Sequence, residues 1–314
     1  VDSLLGFAKN GILIAIIAHG LIGISLIWDK VLLERRGTQN LFGYVFWLGA
    51  ISIFGLLILP FGYQSPPFRV IGIAFAAGIC DLIASFFYYA TLKKGEASET
   101  LAVMGGFAPI ATAAFSFALL HKYLRGDQLI SFAVMCVGGF IMFFSEKFPL
   151  EKLLLPVLLA SGFFGLSNVL QKMAYNNTNF VSAYVWFTIG TFVGSIMLLL
   201  RPSWRKQIFE KSVDSEPRSK FWYFVNRFVA GVGSFLVVYA VSRTRPEMVS
   251  AISGVRYAII FVGALLLTNL RPRWLKETFR GSQLWTKTVA TCLVIAGVAL
   301  AGLSGGTRRS SASV

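Results

Sequence analysis

A full positive charge, Arg256, stands near the middle of the apolar run from Met248 to Leu270. Burying a guanidinium at bilayer depth costs roughly 2.5 to 3.5 kcal/mol on insertion scales, so such a residue faces a cavity, a counter-ion or a substrate. Arg256 lies about nine residues into its run, roughly 13 Å deep at 1.5 Å per residue and close to the midplane. Its planar fork can hold a carboxylate or phosphate through two hydrogen bonds, which suits anion recognition where water is excluded. Asp81 is the complementary oddity, central in another apolar run with no basic residue within about ten positions on either side. An ionised carboxylate there needs a partner. Three roles stay open for it: counter-ion to Arg256, proton-coupling site, or contact for a substrate amine.

Three further groups belong to the candidate substrate site. Arg227 lies about a third of the way into its run, where a long side chain could snorkel to the surface or face inward. His19 is central in the first run, either a hydrogen-bonded interhelix residue or a proton relay. Tyr88, Tyr184, Trp186 and Tyr257 are the aromatics placed to line a cavity, although aromatics in such a chain mostly pack or mark the interface. Lys30 and Lys172 close corresponding helices and are read mainly as end residues. No HExxH, P-loop or Gly-x-Ser-x-Gly occurs, and the two histidines, His19 and His121, sit at different depths. Cys80, Cys136 and Cys292 all fall in apolar runs without metal-ligand spacing. The sequence therefore predicts no enzyme, no cofactor and no metal, with any work drawn from substrate or ion gradients.

The elements that must position these groups are membrane helices. The chain is 56% hydrophobic and 14% charged with a formal charge of +15, and its mean hydropathy is +0.70. Its basic residues crowd into short loops, a footprint of membrane orientation rather than of nucleic-acid binding. Ten runs are long enough to span: Gly11 to Leu33, Leu41 to Tyr63, Val70 to Leu92, Thr100 to Leu120, Leu129 to Ser145, Leu153 to Ala174, Phe180 to Leu200, Phe221 to Ser242, Met248 to Leu270 and Thr288 to Ser304. With no water for the backbone, each must be helical. The two longer loops, Arg201 to Lys220 and Arg271 to Lys287, both open with Arg-Pro-x-Trp and mix basic with aromatic residues, as interfacial segments do.

The alignment of the runs implies five used twice. Ala18-His-Gly-Leu-Ile-Gly-Ile-Ser25 aligns with Ala160-Ser-Gly-Phe-Phe-Gly-Leu-Ser167, and Tyr89-Ala90 with Tyr239-Ala240. An odd number of spans per unit inverts the second unit, so the fold expected is an all-α integral membrane protein of ten transmembrane helices in a five-plus-five inverted repeat. The units are 1–148 and 149–304, followed by a disordered tail over 305–314. The first run is too long for a signal-peptide core and is counted as a span. Both termini fall on one side, and the loop charges place that side away from the cytoplasm in a multi-pass cell-membrane protein.

With this repeat, and with Tyr89-Ala-Thr-Leu-Lys-Lys-Gly-Glu-Ala-Ser98 running into Phe107-Ala-Pro109, the chain resembles the drug/metabolite transporter superfamily in its EamA-type ten-helix branch. The resemblance implies alternating access and a small-molecule substrate, without naming it. The Gly-Glu pair that many such proteins carry after the fourth helix is absent from His121-Lys-Tyr-Leu-Arg-Gly126, so no role is carried over to that acid. Arg256 sits where the sugar-phosphate branches place basic residues in the ninth helix, but its neighbours are Val255 and Tyr257 rather than a second base. The expected function is secondary active transport of a small polar, anionic metabolite. The alternatives are a flippase for a lipid-linked phosphate-bearing head group, or an exporter of amino or cationic compounds. The expected partners are the substrate and membrane lipids, with proton or exchange coupling, in a monomer or homodimer.

Overall fold

A computed structural model describes residues 10–34, 41–92, 97–122, 124, 126–145, 150–209, 217–256, 258–260, 262–263 and 281–310. The described residues are helical throughout, joined by short turns. The helices are α1 (Gly11–Glu34), α2 (Leu41–Ile51), α3 (Phe68–Leu92), α4 (Ala97–Leu120), α5 (Asp127–Ser145), α6 (Leu150–Tyr175), α7 (Phe180–Met197), α8 (Pro202–Phe209), α9 (Pro217–Arg243), α10 (Pro246–Ile252) and α11 (Gly281–Ser310). Helix is the secondary structure that satisfies the backbone of an isolated apolar segment in lipid. Six of the helical segments are long and apolar enough to cross a membrane, and Met104–Leu120, Asp127–Ile141 and Trp285–Ala301 are shorter apolar helices. Large apolar side chains stay exposed around the outside, among them Phe54, Phe61, Phe68, Leu155, Leu200 and Trp285. In water such a belt would be a liability, whereas facing lipid it costs nothing.

Small residues set the helix crossings. A Cβ on Gly190 of α7 would fall 2.1 Å from the Phe75 carbonyl oxygen of α3, and one on Gly78 of α3 would fall 2.1 Å from the Phe187 oxygen of α7. The two backbones therefore touch, and Thr191 Oγ1 donates across the seam to the Gly78 carbonyl at 3.2 Å. Gly165 of α6 meets Ala111 and Thr112 of α4 in the same way. α6 lies against α3 and α4, α1 against α9 and α10, and α5 against α11.

Four expectations need correction. The second run is α-helical only to Ile51 and continues as a 3-10 helix, Ser52–Phe61. Pro60 lacks an N–H, and the Ser52 hydroxyl occupies the Gly49 carbonyl at 2.6 Å, so the α register weakens there. The ninth run is broken after Ile252, as described below. Residues 281–287, read as the end of an interfacial loop, instead begin α11. α11 also runs on to Ser310, past residue 305 where a disordered tail was expected. Of the other longer loop, α8 docks on α2, with Trp204 stacked on Phe42 at 5.0 Å between ring centroids.

Candidate functional site

The ninth run does not stay helical. α10 ends at Ile252; the Ser253 N–H turns to the Ser250 carbonyl and the Gly254 N–H to Ala251, both i to i−3 bonds, before the described residues 255–256, 258–260 and 262–263 are helical again. Serine and glycine are weak helix formers, and this pair is where the register slips. In an unbroken helix the Val249 carbonyl would accept from the Ser253 N–H. That bond is lost, and a buried carbonyl without a donor is costly. His19 of α1 supplies the donor: its Nε2 lies 2.9 Å from the Val249 oxygen.

The other nitrogen of the same ring meets Arg256, whose Nε–H donates to His19 Nδ1 at 2.9 Å. An Nδ1 that accepts and an Nε2 that donates fix a neutral imidazole with its proton on Nε2. His19 is 2% exposed, so its ring is shielded from water. Gly23, one helical turn along α1, keeps the approach open: a Cβ there would stand 3.3 Å from Arg256 Cα and 3.2 Å from Ile259. Arg256 thus occupies the first turn after a helix break, tied through an uncharged ring to a carbonyl released by that same break. Discontinuous helices of this kind are how membrane transporters place polar groups at depth.

Asp81 does not pair with Arg256. Its carboxylate has no hydrogen-bond or ion-pair partner among the described residues and lies within electrostatic reach of the Tyr184 phenol. α9 separates the two centres, presenting Gly233 to Ala18 and Ile22 of α1, and Phe235 and Val238 to Tyr184, Ala77 and Phe187 on its other side. One turn before Asp81, the Ala77 carbonyl accepts from Ser167 Oγ at 2.9 Å; Gln171 Nε2 donates to Ser167 at 3.2 Å. This polar ladder on α6 stands beside rings from Tyr175, Phe180 and Tyr184.

The remaining predicted residues scatter. Arg227 turns inward rather than snorkelling: a guanidinium nitrogen donates to the Tyr44 hydroxyl, and the group sits over the Tyr44 ring. Tyr88 is buried against Tyr89 and Phe164, in a cluster that includes Ile260 and Leu26. Trp186 packs with Val70, Ile73 and Ala74 near the start of α3, away from Arg256. Lys172 caps the end of α9, donating to the Val241 and Ser242 carbonyls at 3.1 and 3.0 Å, as an end residue should. Tyr257 and the Lys30 side chain lie outside what can be described.

Sequence reading missed Glu247. It is 1% exposed in α10, with Oε1 at 3.5 Å from Arg245 Nη1 and Oε2 buried without a hydrogen-bond partner among the described residues. The signal was an acid directly after a helix-starting proline at the edge of an apolar run. Asn226 was missed too; its Nδ2 donates to the Ser25 carbonyl at 3.2 Å and joins α9 to α1. Among the described residues no group of His, Cys, Asp and Glu could hold a metal.

Comparison with known proteins fits this frame. A solved crystal structure of a protein is similar over 93% of this chain and 96% of its own, at 18% identity and a TM-score of 0.62, which speaks to the fold alone. No curated protein matches the chain. Residues 9–144 match the model of the EamA-like transporter family. The all-helical chain with its exposed apolar belt is a multi-pass membrane protein, and over residues 9–144 it is similar to the EamA-like transporter family, whose members are transporters of the drug/metabolite type.

Proposed function

We propose that the protein is a secondary active transporter of a small anionic metabolite, with Arg256 as the anion contact. The observation that carries this reading is the placement of Arg256 in the first turn after a break in a buried helix, with its Nε bonded to a neutral ring. A carboxylate or phosphate arriving there would gain charge-assisted hydrogen bonds that imidazole cannot match.

Alternating access by two inverted five-helix units, ten spans in all, is supported by the way helix pairs recur. α3 packs on α6 as α9 packs on α1, and α4 approaches α6 through Gly165 as the segment after the break approaches α1 through Gly23. α5 with α11, α2 with α7 and α4 with α10 are the pairs such an axis would relate to themselves. Rocking of one unit against the other would pass through the His19 to Arg256 contact.

Proteoliposome uptake of succinate, sulfate and inorganic phosphate, measured for wild type and Arg256→Ala, tests the reading. Uptake of at least one anion that falls at least tenfold in the variant supports it. Equal uptake in a folded variant rejects it. A second reading, export of cationic or amino compounds, draws on Asp81, an acid without an ion-pair partner among the described residues, beside the ring of Tyr184. Cation binding lost in Asp81→Asn, with no anion transported, would put it first.

A further inference from the structure

We propose that His19 is the proton-coupling residue of this transporter, taking up one proton for each anion that binds Arg256. The inference rests on the reading of Arg256 as the anion contact. The resting geometry allows one ionisation state of the ring. Nδ1 holds its lone pair toward the Arg256 Nε–H, and Nε2 spends its proton on the Val249 carbonyl. An imidazolium carries N–H on both nitrogens. Its Nδ1–H would then point at the Arg256 Nε–H, donor against donor and cation against cation, at a ring shielded from solvent while Arg256 rests on it. Protonation of His19 and parking of Arg256 on the ring are therefore mutually exclusive.

An anion that draws the guanidinium away leaves Nδ1 as a buried acceptor with no donor. A proton from the water-open side fills that lone pair, and the new Nδ1–H turns toward the anion that displaced Arg256. No covalent bond other than N–H is made, and the proton leaves when the anion leaves and Arg256 returns. Because linkage is reciprocal, lower pH must strengthen anion binding by the factor with which the anion strengthens protonation. The elements packed on α1 also carry Arg227 and Arg243 on α9, Glu247 on α10 and Lys287 on α11. Arg227 is turned onto Tyr44, Arg243 onto Tyr239 and Glu247 toward Arg245, and Arg256 is the charge that acts on the His19 ring among the described residues. The coupling is placed at a joint between the two units, where α1 meets the broken helix.

The chain has two histidines, so His121→Asn leaves His19 as the sole reporter; His121 has a φ of 52°, which asparagine tolerates. Nitrogen-15 NMR of histidine-labelled His121→Asn protein in nanodiscs at pH 7.5 is expected to show the neutral Nε2–H tautomer at rest. Saturation with a transported probe, succinate, sulfate or inorganic phosphate, should convert it to the doubly protonated ring. The Nδ1–H tautomer at rest, or a ring unmoved by a transported anion, overturns the proposal. In proteoliposomes, an acid-outside gradient is expected to stimulate sulfate or succinate uptake at least tenfold, with proton entry reported by internal pyranine. Sulfate keeps its charge across the range, which removes substrate titration as a cause. In His19→Gln the ratio of uptake with and without the gradient should fall to about one. Arg256-dependent uptake indifferent to the gradient overturns the coupling while leaving the anion reading standing. If none of the three anions moves, the anion reading fails and this proposal with it.

Discussion

Replacing Gly190 by alanine is the sharpest structural test, because the clash it makes is with backbone. The new Cβ would lie 2.1 Å from the Phe75 carbonyl oxygen, 2.9 Å from its carbon and 3.0 Å from its Cα. Relief to an ordinary contact of about 3.4 Å needs the α3 to α7 crossing to open by about 1.3 Å. No side-chain rotation can absorb this. Overpacking of that kind costs about 1 to 3 kcal/mol. The Thr191 to Gly78 hydrogen bond, now 3.2 Å, would stretch beyond use and add about 1 kcal/mol. A loss of about 3 kcal/mol corresponds to a fall in melting temperature of about 6 °C at roughly 2 °C per kcal/mol. Thermal unfolding of detergent-purified protein reads it directly. Gly162→Ala is the matched control, since its Cβ would meet nothing within 4 Å and alanine favours helix. That variant should melt at or above the wild-type temperature. If both variants melt together, the backbone contact between α3 and α7 is wrong.

Arg256→Lys keeps a charge but has no Nε–H in the guanidinium plane to reach His19, so anion uptake should fall about tenfold or more in proteoliposomes; uptake equal to wild type would mean that charge alone suffices. Asp81→Asn should raise the melting temperature, because a carboxylate at membrane depth without an ion-pair partner is replaced by a neutral isostere. A lower one would reveal a partner the geometry omits. Ser167→Ala removes the donor to the Ala77 carbonyl and should cost about 1 kcal/mol in chemical unfolding, with no change if Gln171 takes over. Lys172→Met strips two carbonyls at the end of α9 of their shared cap, and faster hydrogen exchange at the α9 to α10 turn is the expected sign.

The positions of the helices were legible because apolar length is a local property and bilayer thickness imposes it. What escaped was register within a run. Ser253-Gly254 lies inside a segment as apolar as its neighbours, and no count of hydrophobic residues distinguishes one long helix from two short ones meeting at a turn. Arg256 and Asp81 stood out as charges in apolar surroundings, yet their partners did not. The His19 to Arg256 bond joins residues 237 positions apart, and opposite charge made Asp81 look the more natural mate. Asp81 lies across α9 instead, which depends on how Gly233 and Phe235 face apart on that helix. Glu247 was passed over because an acid at the edge of a run reads as a loop charge; its burial comes from helices that close over α10.

All seven residues of α10 are buried, so this short rod touches lipid nowhere on its circumference. Thinning or thickening the bilayer would press on the outer helices through their exposed phenylalanines and leucines, while α10 would feel such a change only through its neighbours. The carbonyl that fastens His19 belongs to this insulated piece. The fastening is therefore shielded from lipid composition, and its strength answers to what enters from the aqueous side.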